Sequence, residues 1–78
     1  MPTILRERGY RLSFFLFDLG EPVHVHVFRG KGGGQQCKVW IETMRVAWNH
    51  GFNKSEIRDI LKIVAANRDK IITAWENR

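Results

Sequence analysis

The stretch "EPVHVHVFRG", residues 21–30, decides the fold, because valines alternate with other side chains through its centre. In an extended strand, successive side chains point to opposite faces of the sheet. One face therefore carries the valines and the other carries two imidazoles and a phenyl ring: Val23, Val25 and Val27 against His24, His26 and Phe28. We predict a strand over residues 23–29, with the valines in the hydrophobic core.

Short apolar runs separated by glycine and proline lie on both sides of this stretch, which is typical of antiparallel strands joined by turns. Three further strands are predicted, over residues 3–8, 10–17 and 35–41. Gly9 can adopt a positive φ at little cost, which suits a tight hairpin turn between the first two strands. The stretches at 18–22 and 30–34 are connections, the second of them the glycine-rich "GKGGG".

Residues 42–52 are ambiguous from the sequence alone. Met44, Val46 and Trp48 alternate as in a strand, but Met44 and Trp48 are also separated by four residues, as on one face of a helix. We favour a fifth short strand in this segment.

A helix is predicted over residues 53–77. Asn53 is a good N-cap, and Glu56 is placed to return the second hydrogen bond of a capping box. An apolar stripe continues from there to Trp75 without glycine or proline. A single helix of this length is about 37 Å long, so it either overhangs the sheet or bends near Asn67. The fold class is therefore α+β: a four- or five-stranded antiparallel sheet packed by a long C-terminal helix, in one domain over residues 1–78.

The composition is that of a small folded protein. Of the 78 residues, 44% are apolar and 27% charged, which is close to ordinary globular usage and far from that of disordered chains. The one cysteine, Cys37, cannot form an intrachain disulfide, so a reducing, cytoplasmic location is expected. We expect no signal peptide and no membrane segment, since the longest apolar runs are too short to span a bilayer.

The net charge is +5 at pH 7, and the sequence pI is about 10.0. An excess of lysine and arginine attracts polyanions, so nucleic acid and an acidic protein are both candidate partners. The alternative is that the protein is basic and binds neither of them. Charge alone does not distinguish these cases.

The second predicted strand, residues 10–17, has bulky apolar side chains on both faces, and one helix layer covers only one face. An uncovered aromatic face would suit a protein partner or a homodimer. The candidate partner-binding residues are His24, His26, Phe28, Phe15 and Phe17. The alternative is that the N-terminal segment or the end of the helix folds over this face.

Two imidazoles on one strand face also suit metal-independent RNA cleavage, with His24 and His26 as general base and general acid. Cations near that strand would contact the phosphate: Arg29, Lys31 and Lys38. The plainer alternative is that both histidines occupy a half-exposed strand face and hydrogen-bond turn carboxylates such as Asp18 or Glu21. His-x-His supplies only two metal ligands, so we expect neither a metal site nor a cofactor.

Several stretches together resemble the small bacterial domain-of-unknown-function family 4160, over nearly the whole chain. They are MPTIL (1–5), GYRLSFF (9–15), EPVHVHV (21–27), KVWIE (38–42), WNHGFNKSEI (48–57) and NRDKIITAW (67–75). The chain departs from the family at Val23, where a second proline is frequent. The resemblance implies a two-gene module of toxin–antitoxin type, with a small protein encoded by the neighbouring gene as partner, and it implies no catalytic residues.

Three functions therefore stay open. The favoured one is a protein-binding component of a toxin–antitoxin-like module. The second is a ribonuclease toxin that uses His24 and His26, and the third is a nucleic-acid-binding module without catalytic activity.

Overall fold

Five antiparallel strands and two helices make up the chain in a computed structural model, which describes residues 3–15, 20–30 and 34–77. The strands are β1 (Thr3–Glu7), β2 (Tyr10–Ser13), β3 (His24–Arg29), β4 (Gln35–Trp40) and β5 (Arg45–His50), and the helices are α1 (Lys54–Ala66) and α2 (Arg68–Glu76). The α+β class is confirmed, and so is the fifth strand. Phe17, Asp18 and Lys31, which the sequence predictions named, lie outside the described residues.

The strands lie in sequence order, β1-β2-β3-β4-β5, so β3 is the central strand and β1 and β5 are the two edges. The β1–β2 turn consists of Arg8 and Gly9, both with positive φ, of 53° and 83°. Two consecutive residues with positive φ form a two-residue hairpin turn whose backbone twist matches that of the flanking strands. This turn fixes the register of the two strands, and Arg6 is therefore directly opposite Arg11.

The capping box at Asn53 is confirmed. The Glu56 N–H donates to Asn53 Oδ1 at 2.8 Å, and the Asn53 N–H donates to Glu56 Oε1 at 2.9 Å. These bonds satisfy two N–H groups that have no partner within the helix.

The structure has two helices of 13 and 9 residues where one helix over 53–77 was predicted. The helical run is interrupted at Asn67, the position near which a bend was expected. The Asn67 side-chain amide donates to the Ile63 carbonyl at 2.8 Å, and its φ is −112°. Asparagine offers the backbone this alternative hydrogen bond and thereby weakens a continuous helix.

The core lies between the helices and one face of the sheet. The buried sheet-side residues are Tyr10, Leu12, Phe14, Val25, Val27, Cys37, Val39 and Ile41, and the buried helix residues are Ile60, Ile63, Val64 and Ile71. The predicted core positions of Val25 and Val27 are confirmed, and Val23 is half-buried against the same cluster. We call this side of the sheet the helix-packed face.

Candidate functional site

The opposite side of the sheet carries most of the residues that the sequence selected. Register places His26 between Ser13 of β2 and Lys38 of β4, and Lys38 is in turn opposite Trp48 of β5. We call this side the histidine face. Its members are Arg6, Arg11, Ser13, Phe15, His24, His26, Phe28, Lys38, Trp40 and Trp48.

His24 is fully buried at one end of the histidine face. Its Nδ1–H donates to the Pro22 carbonyl at 2.9 Å, because a carbonyl oxygen can only accept. The ring centroids of Trp40 and Trp75 are 5.5 and 5.0 Å from that of His24. Trp75 of α2 also meets Phe14 edge-to-face at 5.1 Å, so it contacts side chains from both faces of the sheet.

His26 lies among aromatic rings near the centre of the same face. Its ring centroid is 4.2 Å from that of Phe15 and 5.9 Å from that of Trp48. Phe28 stacks beside it, with the centroids 6.4 Å apart. His26 and Phe28 are each only 5% exposed.

The expectation that the two histidines are half-exposed was therefore wrong. Aromatic side chains of Phe15, the strands β4 and β5, and α2 surround the imidazoles, and these neighbours are distant in the sequence. Glu21, one of the two carboxylates proposed to bind them, is instead ion-paired with Lys38. Asp18, the other, lies outside the described residues.

Of the three cations predicted to contact phosphate, Arg29 and Lys38 lie on opposite faces of the sheet, and Lys31 lies outside the described residues. The Lys38 ammonium is paired with Glu21 and lies 4.4 Å from the Trp40 ring centroid, on the histidine face. Arg29 Nη1 is 2.7 Å from Glu56 Oε2 of α1, on the helix side. Both described members of the predicted set already have a carboxylate partner.

Two cations outside the predicted set, Arg6 and Arg11, line an open depression of about 140 Å³ at the β1–β2 end of the sheet, and Arg29 of the predicted set also lines it. We call it the arginine pocket, and it is lined by Arg6, Gly9, Arg11, Phe28, Arg29 and Gly30. Sequence reasoning missed it, although the signal was present. A two-residue turn at 8–9 places residues 6 and 11 opposite each other, on one face.

Trp48 is the one large hydrophobic side chain that is exposed among the residues that the structure describes, at 42%. It lies on the edge strand β5, opposite Lys38. The register of β4 and β5 shifts here, since Lys38 pairs with Trp48 and Val39 with Val46, so Ala47 is an extra residue in β5. Such a bulge bends an edge strand locally and redirects its side chains.

Among the described residues there is neither a cluster of metal ligands nor a membrane-spanning helix. These residues contain no group of three or more His, Cys, Asp or Glu side chains arranged to hold a metal ion. None of their helices is long and apolar enough to cross a membrane.

The stretches that contain the two histidines and the helix cap lie within the part of the chain that a known family matches. The sequence profile of the domain of unknown function DUF4160 matches residues 9–76. The chain belongs to this family. The DUF4160 match includes Arg11, both buried histidines and Trp48, and it begins after Arg6. No curated protein and no solved structure is significantly similar to the chain.

Proposed function

We propose that this DUF4160 chain is the basic, protein-binding component of a bacterial two-gene module of toxin–antitoxin type, acting in the cytoplasm. Its partner is a small acidic protein encoded by the neighbouring gene. The observation that carries the proposal is the 42% exposure of Trp48 on the edge strand β5.

An edge strand offers backbone N–H and C=O groups on its open side, and an extended segment of another protein can pair with them. In the described part of the chain, β5 pairs with β4 alone and comprises six residues, Arg45–His50. Most of these residues are exposed. A partner strand added here would extend the sheet and cover the Trp48 ring, which is the kind of side chain that dominates binding energy at interfaces.

The positive net charge indicates that the partner protein is acidic. The chain carries a net charge of +5, and Arg45 at the start of β5 is exposed. A partner with complementary negative charge is steered to such a surface and discriminated from basic proteins. The free, buried thiol of Cys37 agrees with the reducing cytoplasm.

The ribonuclease alternative receives less support from the geometry. A general acid and base must be within hydrogen-bonding reach of the substrate, directly or through one water. His24 is fully buried and His26 is 5% exposed, so the scissile phosphate of an RNA cannot approach both imidazoles in this arrangement. Their contacts instead suit a supporting role, in which the His26 ring packs beside Trp48 at 5.9 Å.

The test is binding between this protein and the purified product of the neighbouring gene, measured by calorimetry. We expect a complex, and we expect Trp48→Ser to weaken it by about 30-fold or more, as loss of a central aromatic contact does. Arg6→Gln, on the opposite edge of the sheet, is the control and should bind as the parent does. An unchanged affinity for Trp48→Ser, or no complex at all, would overturn the proposal.

Two further measurements separate the competing functions. Light scattering of the protein alone tests whether β5 pairs with β5 of a second copy. A dimer that Trp48→Ser abolishes would show that a second copy of this chain, and not an acidic partner, occupies the β5 edge. Growth inhibition on expression tests the ribonuclease. Inhibition lost in folded His24→Phe and His26→Phe variants, with RNA cleaved by the parent protein, would favour the nuclease.

A further inference from the structure

The β1–β2 hairpin places two arginines directly opposite each other on neighbouring strands, at the end of the sheet away from β5, and both line one pocket. Arg6 and Arg11 are Cα partners in the antiparallel register, so their side chains project from the same face. Like charges directly opposite each other destabilise a sheet. Glu7, the acidic residue of β1, lies at the next register position on the other face and is reached by the Asn67 amide at 3.3 Å.

Neither arginine is ion-paired with a carboxylate of the described residues, in contrast to Arg29 and Lys38. The guanidinium carbon of Arg11 lies 4.9 Å from the Phe28 ring centroid. Stacking of this kind orients the guanidinium plane and leaves its N–H edge available. Arg11 Nε is buried and has no hydrogen-bond partner among the described residues. A buried N–H donor of this kind costs free energy until an acceptor is bound.

We infer that the arginine pocket binds a phosphate group between Arg6 and Arg11. Guanidinium groups present planar N–H pairs that match two oxygens of a phosphate, and binding an anion there relieves the repulsion between the two charges. The depression of about 140 Å³ is open to solvent, so the group can belong to a small molecule or to a nucleic-acid backbone. The site lies at the β1–β2 end of the sheet and shares no lining residue with β5.

The experiment is a titration followed by nuclear magnetic resonance, with the Arg11 Nε–H signal as reporter. The probes are inorganic phosphate, adenosine monophosphate and a short single-stranded oligouridylate, with sodium acetate at equal ionic strength as the carboxylate control. We expect the phosphate probes to shift this signal in a saturable way and acetate to leave it in place. Tighter binding of adenosine monophosphate assigns a small-molecule source, and tighter binding of the oligonucleotide, with an affinity that falls with salt, assigns nucleic acid.

Matched variants locate the site. Arg6→Gln and Arg11→Met each remove one guanidinium, and the methionine retains apolar contact with Phe28; Arg45→Gln removes the same charge from the β5 edge. We expect each pocket variant to weaken binding of the preferred phosphate probe by about tenfold and Arg45→Gln to leave it within about twofold. Circular dichroism establishes that each variant is folded.

Equal losses for Arg6→Gln and Arg45→Gln would show attraction by net charge alone and would overturn the inference, as would an unmoved Arg11 signal. Failure of the phosphate site can be told apart from failure of the proposed protein-binding function, because the two depend on different residues. Arg6→Gln should retain the protein partner, and Trp48→Ser should retain phosphate.

Discussion

The two faces of the sheet in this DUF4160 protein are buried by different means. On the helix-packed face, mainly aliphatic side chains meet two helices and form one continuous core. On the histidine face, imidazole, phenyl and indole rings meet edge-to-face, and a lysine–glutamate pair lies among them. The central strand β3 contributes to both, since valines and histidines alternate along it. Burial on the second face is achieved by specific ring contacts, which depend on geometry more than aliphatic contacts do.

The largest effect is expected on the helix-packed face. Leu12 is fully buried there, and Leu12→Ala should lower the free energy of unfolding by about 3 kcal/mol, through lost burial and the cavity left behind. Urea denaturation measures it, with the exposed Thr3→Ala on the neighbouring strand as control. If both variants lose the same small amount, the assignment of this face as the main core is wrong.

A somewhat smaller loss is expected for His24 on the opposite face. His24→Ala removes a fully buried ring and its hydrogen bond to Pro22, and we expect the free energy of unfolding to fall by about 2 kcal/mol. His24→Phe keeps the ring and leaves the Pro22 carbonyl without this donor, so about 1 kcal/mol is expected. Equal unfolding free energies for His24→Ala and the parent would show that the histidine face contributes no packing.

The Lys38–Glu21 pair tests how the second face accommodates charge. The Lys38 side chain is 11% exposed and that of Glu21 is 40% exposed. Glu21→Gln leaves a buried ammonium without its counter-ion, whereas Lys38→Met leaves a carboxylate that water can reach. We expect Glu21→Gln to be the more destabilising by about 1 kcal/mol, a modest figure because solvent screens Glu21. The reverse order, measured by thermal and urea unfolding, would mean that Lys38 is well hydrated without its partner.

The smallest effect at neutral pH concerns Cys37 of the helix-packed face. Burial raises the pKa of this thiol from 9.0 to about 12, so the folded protein holds its proton where an unfolded chain loses it. Stability is unaffected below pH 9 and falls as the pH rises from 9 towards 12, because only the unfolded state releases the proton there. Iodoacetamide at pH 8 should modify the urea-unfolded protein and spare the native one. Rapid alkylation of the native protein would show that the core opens at Cys37.

Local sequence signals predicted much of the fold. The valine alternation located β3 and its core side, and Asn53 with Glu56 located the start of α1, because each signal depends on residues close in the chain. The segment at 42–52 was ambiguous, and pairing with β4 decides it in favour of a strand. The single helix was not found, since an asparagine hydrogen bond at Asn67 interrupts it.

The candidate site was predicted less well. His24, His26 and Phe28 were placed correctly on one face, but their burial depends on Phe15, which follows β2, and on rings from β4, β5 and α2, which no pattern within one strand reports. Arg29 and Lys38 were chosen for their charge, and the structure shows that each is paired with a carboxylate. The arginine pocket follows from the turn at Gly9, a signal that was available and was not carried through to the register.

The sequence by itself determined which side chains share a face, because the period of a strand and the type of a turn are local properties of the backbone. Only the tertiary structure decided which of those faces is dry, which cations are neutralised and which edge leaves Trp48 exposed. Those outcomes depend on contacts between residues far apart in the chain, as when α2 brings Trp75 against His24. Such contacts stabilise the protein only once the strands and helices have assembled.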